Sequence, residues 1–98
     1  MVNPFATMTE LAILSVLASE PKGMYALEIV RASDGKLARG SIYTLLGRLE
    51  WKGFVISRLG YYRAAHSGLR RPRYVVTKQG EQALAAAAIM GLDPAKAR

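Results

Sequence analysis

Residues 39–53 read Arg39-Gly40-Ser41-Ile42-Tyr43-Thr44-Leu45-Leu46-Gly47-Arg48-Leu49-Glu50-Trp51-Lys52-Gly53. Ile42, Leu45, Leu46 and Leu49 recur at helical spacing, on a stripe roughly 100° wide, which is how a helix buries one face in a core. Thr44, Gly47, Arg48 and Trp51 lie opposite, with Ser41 and Tyr43 flanking them at the N-terminal turn. A glycine inside a helix costs roughly 1 kcal/mol against alanine. Close approach of the backbone to a partner, or tight packing, would justify Gly47. Gly53 suits the left-handed position that ends such a helix.

The surrounding charge gives that outer face a meaning. The chain has 98 residues and a formal net charge of +7. Between Lys36 and Lys78 stand ten Lys/Arg and one acid, Glu50, a local balance of +9, and the remainder carries −2. Charge concentrated in this way favours a polyanion, nucleic acid before a membrane surface. There are no cysteines and a single histidine, so neither a disulfide framework nor a metal site is expected. No cofactor is expected either. Paired acids, an assembled nucleophile and a glycine-rich phosphate loop are all missing from the pattern, and the chain does not read as an enzyme. The start, MVNPFATMTE, lacks a basic n-region, and no apolar run reaches the roughly 18 residues of a membrane span. A cytoplasmic location without membrane association is expected.

Outward from the quoted stretch, Thr7-Met8-Thr9-Glu10 fits a capping box ahead of the helix TELAILSVLAS, which ends before Pro21. Its apolar residues spread around most of the circumference, so part of that face is expected to meet another subunit. Pro21-Lys22-Gly23 turns the chain, and a second helix is expected from Met24 to about Ala32. Ser33-Asp34-Gly35 breaks it, leaving Lys36-Leu37-Ala38 for a short strand or extended link. Residues 54–59 and 73–77 read as strands, joined by a loop. Thr77 caps a final helix from Lys78 to about Met90. The order is helix, helix, short strand, helix, strand, long loop, strand, helix. It describes a mainly α, α+β fold with a small β-hairpin wing, a winged helix-turn-helix. One domain is expected over residues 1–98, with its core at about 8–90 and a frayed tail at 91–98.

In a helix-turn-helix the N-terminal part of the second helix enters the major groove. Ser41, Tyr43 and Thr44 then sit nearest base edges or phosphates, with Arg39 just before them and Arg48 able to fork onto a guanine or a phosphate. Over 60–73 the wing carries Arg63, Arg70, Arg71 and Arg73, suited to phosphates or the minor groove. Trp51, a full turn beyond Arg48, is assigned to packing on the wing strands or to a partner. Leu11, Leu14, Leu84 and Ala88 join it as a dimer or partner surface, since the run Ala83–Met90 has small side chains that allow close helix approach.

TELAILSVLA, MYALEIV, GSIYTLLGRLEWKGFV and RRPRYVVTKQGEQAL together resemble the PadR-like transcriptional regulators over roughly residues 8–90. Gly40, Tyr43, Leu46, Leu49, Glu50, Gly53, Tyr74, Thr77 and Gly80 carry the resemblance most specifically. It departs from the family at Gly23-Met24-Tyr25, where His-Gly-Tyr is common, and at Thr44, where proline is frequent. The resemblance implies a winged-helix homodimeric repressor on double-stranded, pseudo-palindromic DNA, with a small hydrophobic or aromatic effector in some members. The expected function is therefore sequence-specific transcriptional regulation, with helix 39–52 in the major groove. The competing readings are a winged-helix protein-interaction module without DNA binding, and a nucleic-acid binder without sequence preference.

Overall fold

The first helix, α1 (Met8–Ala18), begins where its capping box requires: the Thr7 Oγ1 accepts from the Glu10 amide at 3.2 Å, and Glu10 Oε1 accepts from the Thr7 amide at 2.8 Å. In this computed structural model residues 6–60 and 71–92 are described. The elements that follow are β1 (Met24–Tyr25), α2 (Ala26–Ala32), α3 (Ile42–Trp51), β2 (Val55–Gly60), β3 (Arg71–Val76) and α4 (Lys78–Ile89). Among the described residues, four helices and a three-stranded antiparallel sheet of order β1-β3-β2 make the expected winged helix.

The short strand lies elsewhere than the sequence suggests. Gly23 sits at φ +94°, and a Cβ there would come within 2.7 Å of the Arg73 Cγ and 2.9 Å of the Tyr74 carbonyl oxygen. That close passage brings Met24 opposite Tyr74 and Tyr25 opposite Arg73, so the chain pairs with β3 before α2 begins. Residues 36–38 form a bend instead of a strand. There the Ser33 hydroxyl donates to the Val30 carbonyl at 2.6 Å and accepts from the Leu37 amide at 3.1 Å, while Leu37 is buried.

Leu11, Ile13, Leu14 and Leu17 of α1 join Ile29, Ile42, Leu46, Leu49, Phe54, Val55 and Tyr74 in one core. α4, α2 and β3 cover α1 from several sides. Leu11 and Leu14, expected on a partner surface, keep 2% and 0% of their exposure and belong to this core. A helix apolar around most of its circumference is here surrounded by its own chain.

The turn from α3 into β2 and the start of α4 are locked together. Gly53 takes φ +81°, and the amides of Gly53 and Phe54 donate back to Glu50 and Leu49, each at 2.9 Å. This is the pair of hydrogen bonds that closes a glycine-terminated helix. Thr77 accepts from the Gly80 amide at 3.0 Å and donates its hydroxyl proton to the Gly53 carbonyl at 2.7 Å.

Candidate nucleic-acid interface

The quoted helix divides as its periodicity predicts. Ile42, Leu46 and Leu49 are fully buried and Leu45 partly so. Tyr43 is 58% exposed, Trp51 is 70% exposed, and Thr44, Gly47 and Arg48 are exposed between them. α3 starts at Ile42, with Ser41 as its N-cap residue, so Arg39 and Ser41 lie in the preceding turn and not in the helix. Both are exposed. Ser41 makes no side-chain cap to α3, and its hydroxyl donates backwards to the Ala38 carbonyl at 3.5 Å. The helix expected over 39–52 is thus a turn of donors followed by a ten-residue helix.

Trp51 does not pack away under the wing; most of its ring faces outwards. Glu50, the single acid of the basic window, turns towards the sheet, where the Ser57 hydroxyl donates to its Oε2 at 2.9 Å. Burial raises the Tyr74 hydroxyl above its ordinary range, and the nearby Glu50 and Tyr43 act in the same direction. That phenol stays protonated at neutral pH.

The basic side chains fall into two groups. Arg58 on β2 and Arg71 on β3 are exposed on the hairpin. Arg73, expected on DNA, is instead half-buried: its guanidinium lies 4.9 Å from the centroid of the Tyr25 ring and its Nη2 donates to the Tyr25 hydroxyl at 3.2 Å. Its Nε is buried with no hydrogen-bond partner among the described residues. The strand pairing that puts Tyr25 opposite Arg73 causes this. A guanidinium stacked on an aromatic face is held by cation–π attraction and clamps the wing to the start of α2. Arg63 and Arg70 lie outside the described residues.

One ion pair has no counterpart in the sequence pattern. Lys52, counted in the basic window, directs its ammonium to Glu10 Oε1 at 2.8 Å, and the two side chains retain 13% and 1% exposure. Glu10 Oε2 is buried without a partner among the described residues. Burial alone pushes the Glu10 carboxyl up, but the Lys52 ammonium and the Thr7 donors outweigh it and hold its pKa below 4.5. Glu10 is therefore ionised at neutral pH. The capping box hides this second role, because it already accounts for a glutamate at that position.

Along α4 a groove of about 620 Å³ is lined by Leu11, Lys52, Phe54, Ala83, Ala87 and Met90, among others. Leu84 is half-buried against the core, Ala88 is exposed, and Ile89 and Met90 are 87% and 66% exposed. Among the described residues no three His, Asp or Glu side chains gather to hold a metal, and no helix is long and apolar enough to cross a membrane.

Residues 13–86 match the family described as Transcriptional regulator PadR-like. A PadR family transcription regulator from Clostridium difficile is similar in structure, with a TM-score of 0.70 and 28% identity, covering 86% of each chain. A transcriptional regulator from Thermoplasma acidophilum aligns with a TM-score of 0.71 and 27% identity over 84% of this chain and 78% of its own. A MarR family transcription regulator shares the fold, with a TM-score of 0.73 at 24% identity; 91% of this chain is covered, and it spans 54% of that chain. No curated protein matches by sequence.

Proposed function

This chain belongs to the PadR-like family of transcriptional regulators, and from that premise we propose that it is a sequence-specific DNA-binding repressor that acts as a homodimer by occluding its operator. One observation carries the reading: α3 buries Ile42, Leu46 and Leu49 completely while leaving Tyr43, Thr44, Gly47 and Arg48 on an open face. A reading helix needs both halves, since base contacts require side chains held in one geometry and a face free to enter the groove.

In this reading Tyr43 and Thr44 meet base edges, Ser41 and Arg39 meet the phosphates at the mouth of the groove, and Arg48 takes a guanine or a phosphate. Arg58 and Arg71 anchor the adjoining backbone, joined by Arg63 and Arg70 of the wing loop. Arg73 and Lys52 bind no phosphate, because each is committed within the fold. The outer side of α4, where Ala88, Ile89 and Met90 are exposed and Leu84 is half-buried, is the surface for a second copy, and Trp51 belongs to a partner or to the DNA margin. The groove beside α4 is of a size for a small hydrophobic or aromatic effector. Residues 8–90 act in this reading as one winged-helix domain, in the cytoplasm.

A mobility-shift titration against its own promoter, with scrambled competitor and a salt series, tests the proposal. Preference for the promoter and a steep loss of affinity with salt are expected. A specificity ratio near one would favour a general nucleic-acid binder, and no shift at low salt would favour a protein-interaction module.

A further inference from the structure

Among the described residues nothing requires position 47 to be glycine. It is not among the described glycines at positive φ, which are Gly23, Gly35, Gly53 and Gly91. Among the described residues a Cβ built on it meets nothing within 4 Å. Gly80, also helical, shows the opposite case: a Cβ there would collide with the Phe54 carbonyl oxygen and with Val76. Packing, one of the two explanations open at the sequence level, therefore does not apply to Gly47 within this chain. Yet the residue sits in the middle of α3, where alanine would strengthen the helix.

Its neighbours indicate what the space is for. Tyr43 precedes it by four residues and Trp51 follows by four, so the three share one side of the helix. The two rings are 58% and 70% exposed, with Thr44 and Arg48 exposed alongside. Between the aromatics the bare backbone forms a notch. We propose that Gly47 is a specificity-determining residue that sets how deeply α3 enters the major groove, a role that rests on the DNA-binding reading above. Its Cα comes into van der Waals contact with the floor or wall of the groove, in the place a side chain would take. An added methyl reaches about 1.5 Å beyond Cα and lifts the helix by a comparable amount. Hydrogen bonds to base edges hold only over about 2.7–3.2 Å, so contacts from Tyr43 and Thr44 are lost first. Arginines on long flexible stems follow the phosphates and keep their contacts.

The test compares Gly47→Ala and Gly47→Leu with the wild-type chain, on the promoter fragment and on a scrambled duplex of equal length. Gly47→Ala should melt higher by about 4 °C. It should bind the promoter about tenfold more weakly, on the scale of one lost base-pair contact, while binding scrambled DNA within about twofold of wild type. Gly47→Leu should lose more on the promoter and equally little on scrambled DNA. The proposal is overturned if Gly47→Ala keeps full promoter affinity, if it weakens both duplexes alike, or if it melts lower, which would return Gly47 to a structural role. A wild-type chain that does not distinguish the two duplexes would overturn the sequence-specific reading on which the proposal rests, whatever the melting temperatures.

Discussion

Replacing Lys52 by methionine should be among the most damaging single changes outside the apolar core. The ammonium lies 2.8 Å from Glu10 Oε1, and the glutamate side chain is 1% exposed. Without Lys52 the carboxylate keeps only Thr7 as a hydrogen-bonding residue, and its Oε2 has no partner among the described residues. Removing one partner from a buried pair costs about 3–5 kcal/mol. Lys52 retains 13% exposure, so water reaches one end of the pair and the lower figure, about 3 kcal/mol, applies. Against a typical total of about 5–15 kcal/mol for a domain, that is a large fraction. It corresponds to a fall in melting temperature of roughly 10–20 °C. Glu10→Gln should cost less, about 1–2 kcal/mol, because the amide oxygen still accepts from Thr7 and Lys52 can extend into water. The double variant should recover part of the loss, with a coupling of at least about 1 kcal/mol in the cycle. Urea and thermal denaturation followed by circular dichroism measure all four proteins. The same pair makes a pH prediction. The folded pKa of Glu10 lies below 4.5, so the stability it contributes is complete above that value and drains away as pH falls through the lowered pKa. The Glu10→Gln variant should lack that part of the acid sensitivity. A loss below about 1 kcal/mol for Lys52→Met, or strict additivity in the cycle, would refute the assignment of the pair as a buried brace.

Arg73→Met should weaken the wing's attachment and lower stability by about 1 kcal/mol, the scale of a cation–π contact with its hydrogen bond, while changing the salt dependence of DNA binding little; titrations in increasing salt separate it from Arg71→Ala, which should flatten the slope. Gly80→Ala should cost about 1–3 kcal/mol, because the new methyl is driven against the Phe54 carbonyl and Val76, and chemical denaturation reads the loss directly. Ile89→Glu with Met90→Glu should leave the melting temperature of the chain near wild type, since both side chains are largely exposed, yet convert the proposed dimer to monomers in light scattering. Unchanged dimers in that variant would move the pairing surface elsewhere.

Much of this architecture is visible in the chain itself. Ile42, Leu46 and Leu49 announce the buried stripe of α3, and Thr7, Glu10, Gly53 and Thr77 mark helix ends because capping is chemistry among neighbours in sequence. The features that escape a sequence reading all depend on chain segments far apart. Glu10 and Lys52 meet across 42 positions, and Tyr25 and Arg73 across 48. Neither pairing leaves a local pattern, so both cations look like part of a DNA-facing charge. β1 escapes for the same reason: two residues have no strand signature of their own, and only the passage of Gly23 beside β3 creates the pairing. Leu11 and Leu14 look like surface residues because α1 is apolar on so many sides; the position of α4, which covers it, is not written in α1. The exposed half of α3 is legible through the buried half, since a helix with one committed stripe has only one face left to offer.

If the chain pairs on DNA as proposed, the Thr77 hydroxyl bears on which operators it can span. It ties the carbonyl that follows α3 to the first turn of α4, so these two helices share an elbow. In a pair of copies joined through α4, the separation of the two α3 helices is then built into the protein and not adjusted by the DNA. Such a dimer works as a caliper. Inserting one base pair at the centre of a palindrome carries the far half-site about 3.4 Å away and roughly 35° around the duplex axis. A caliper without a hinge cannot follow, and it should release that half-site altogether.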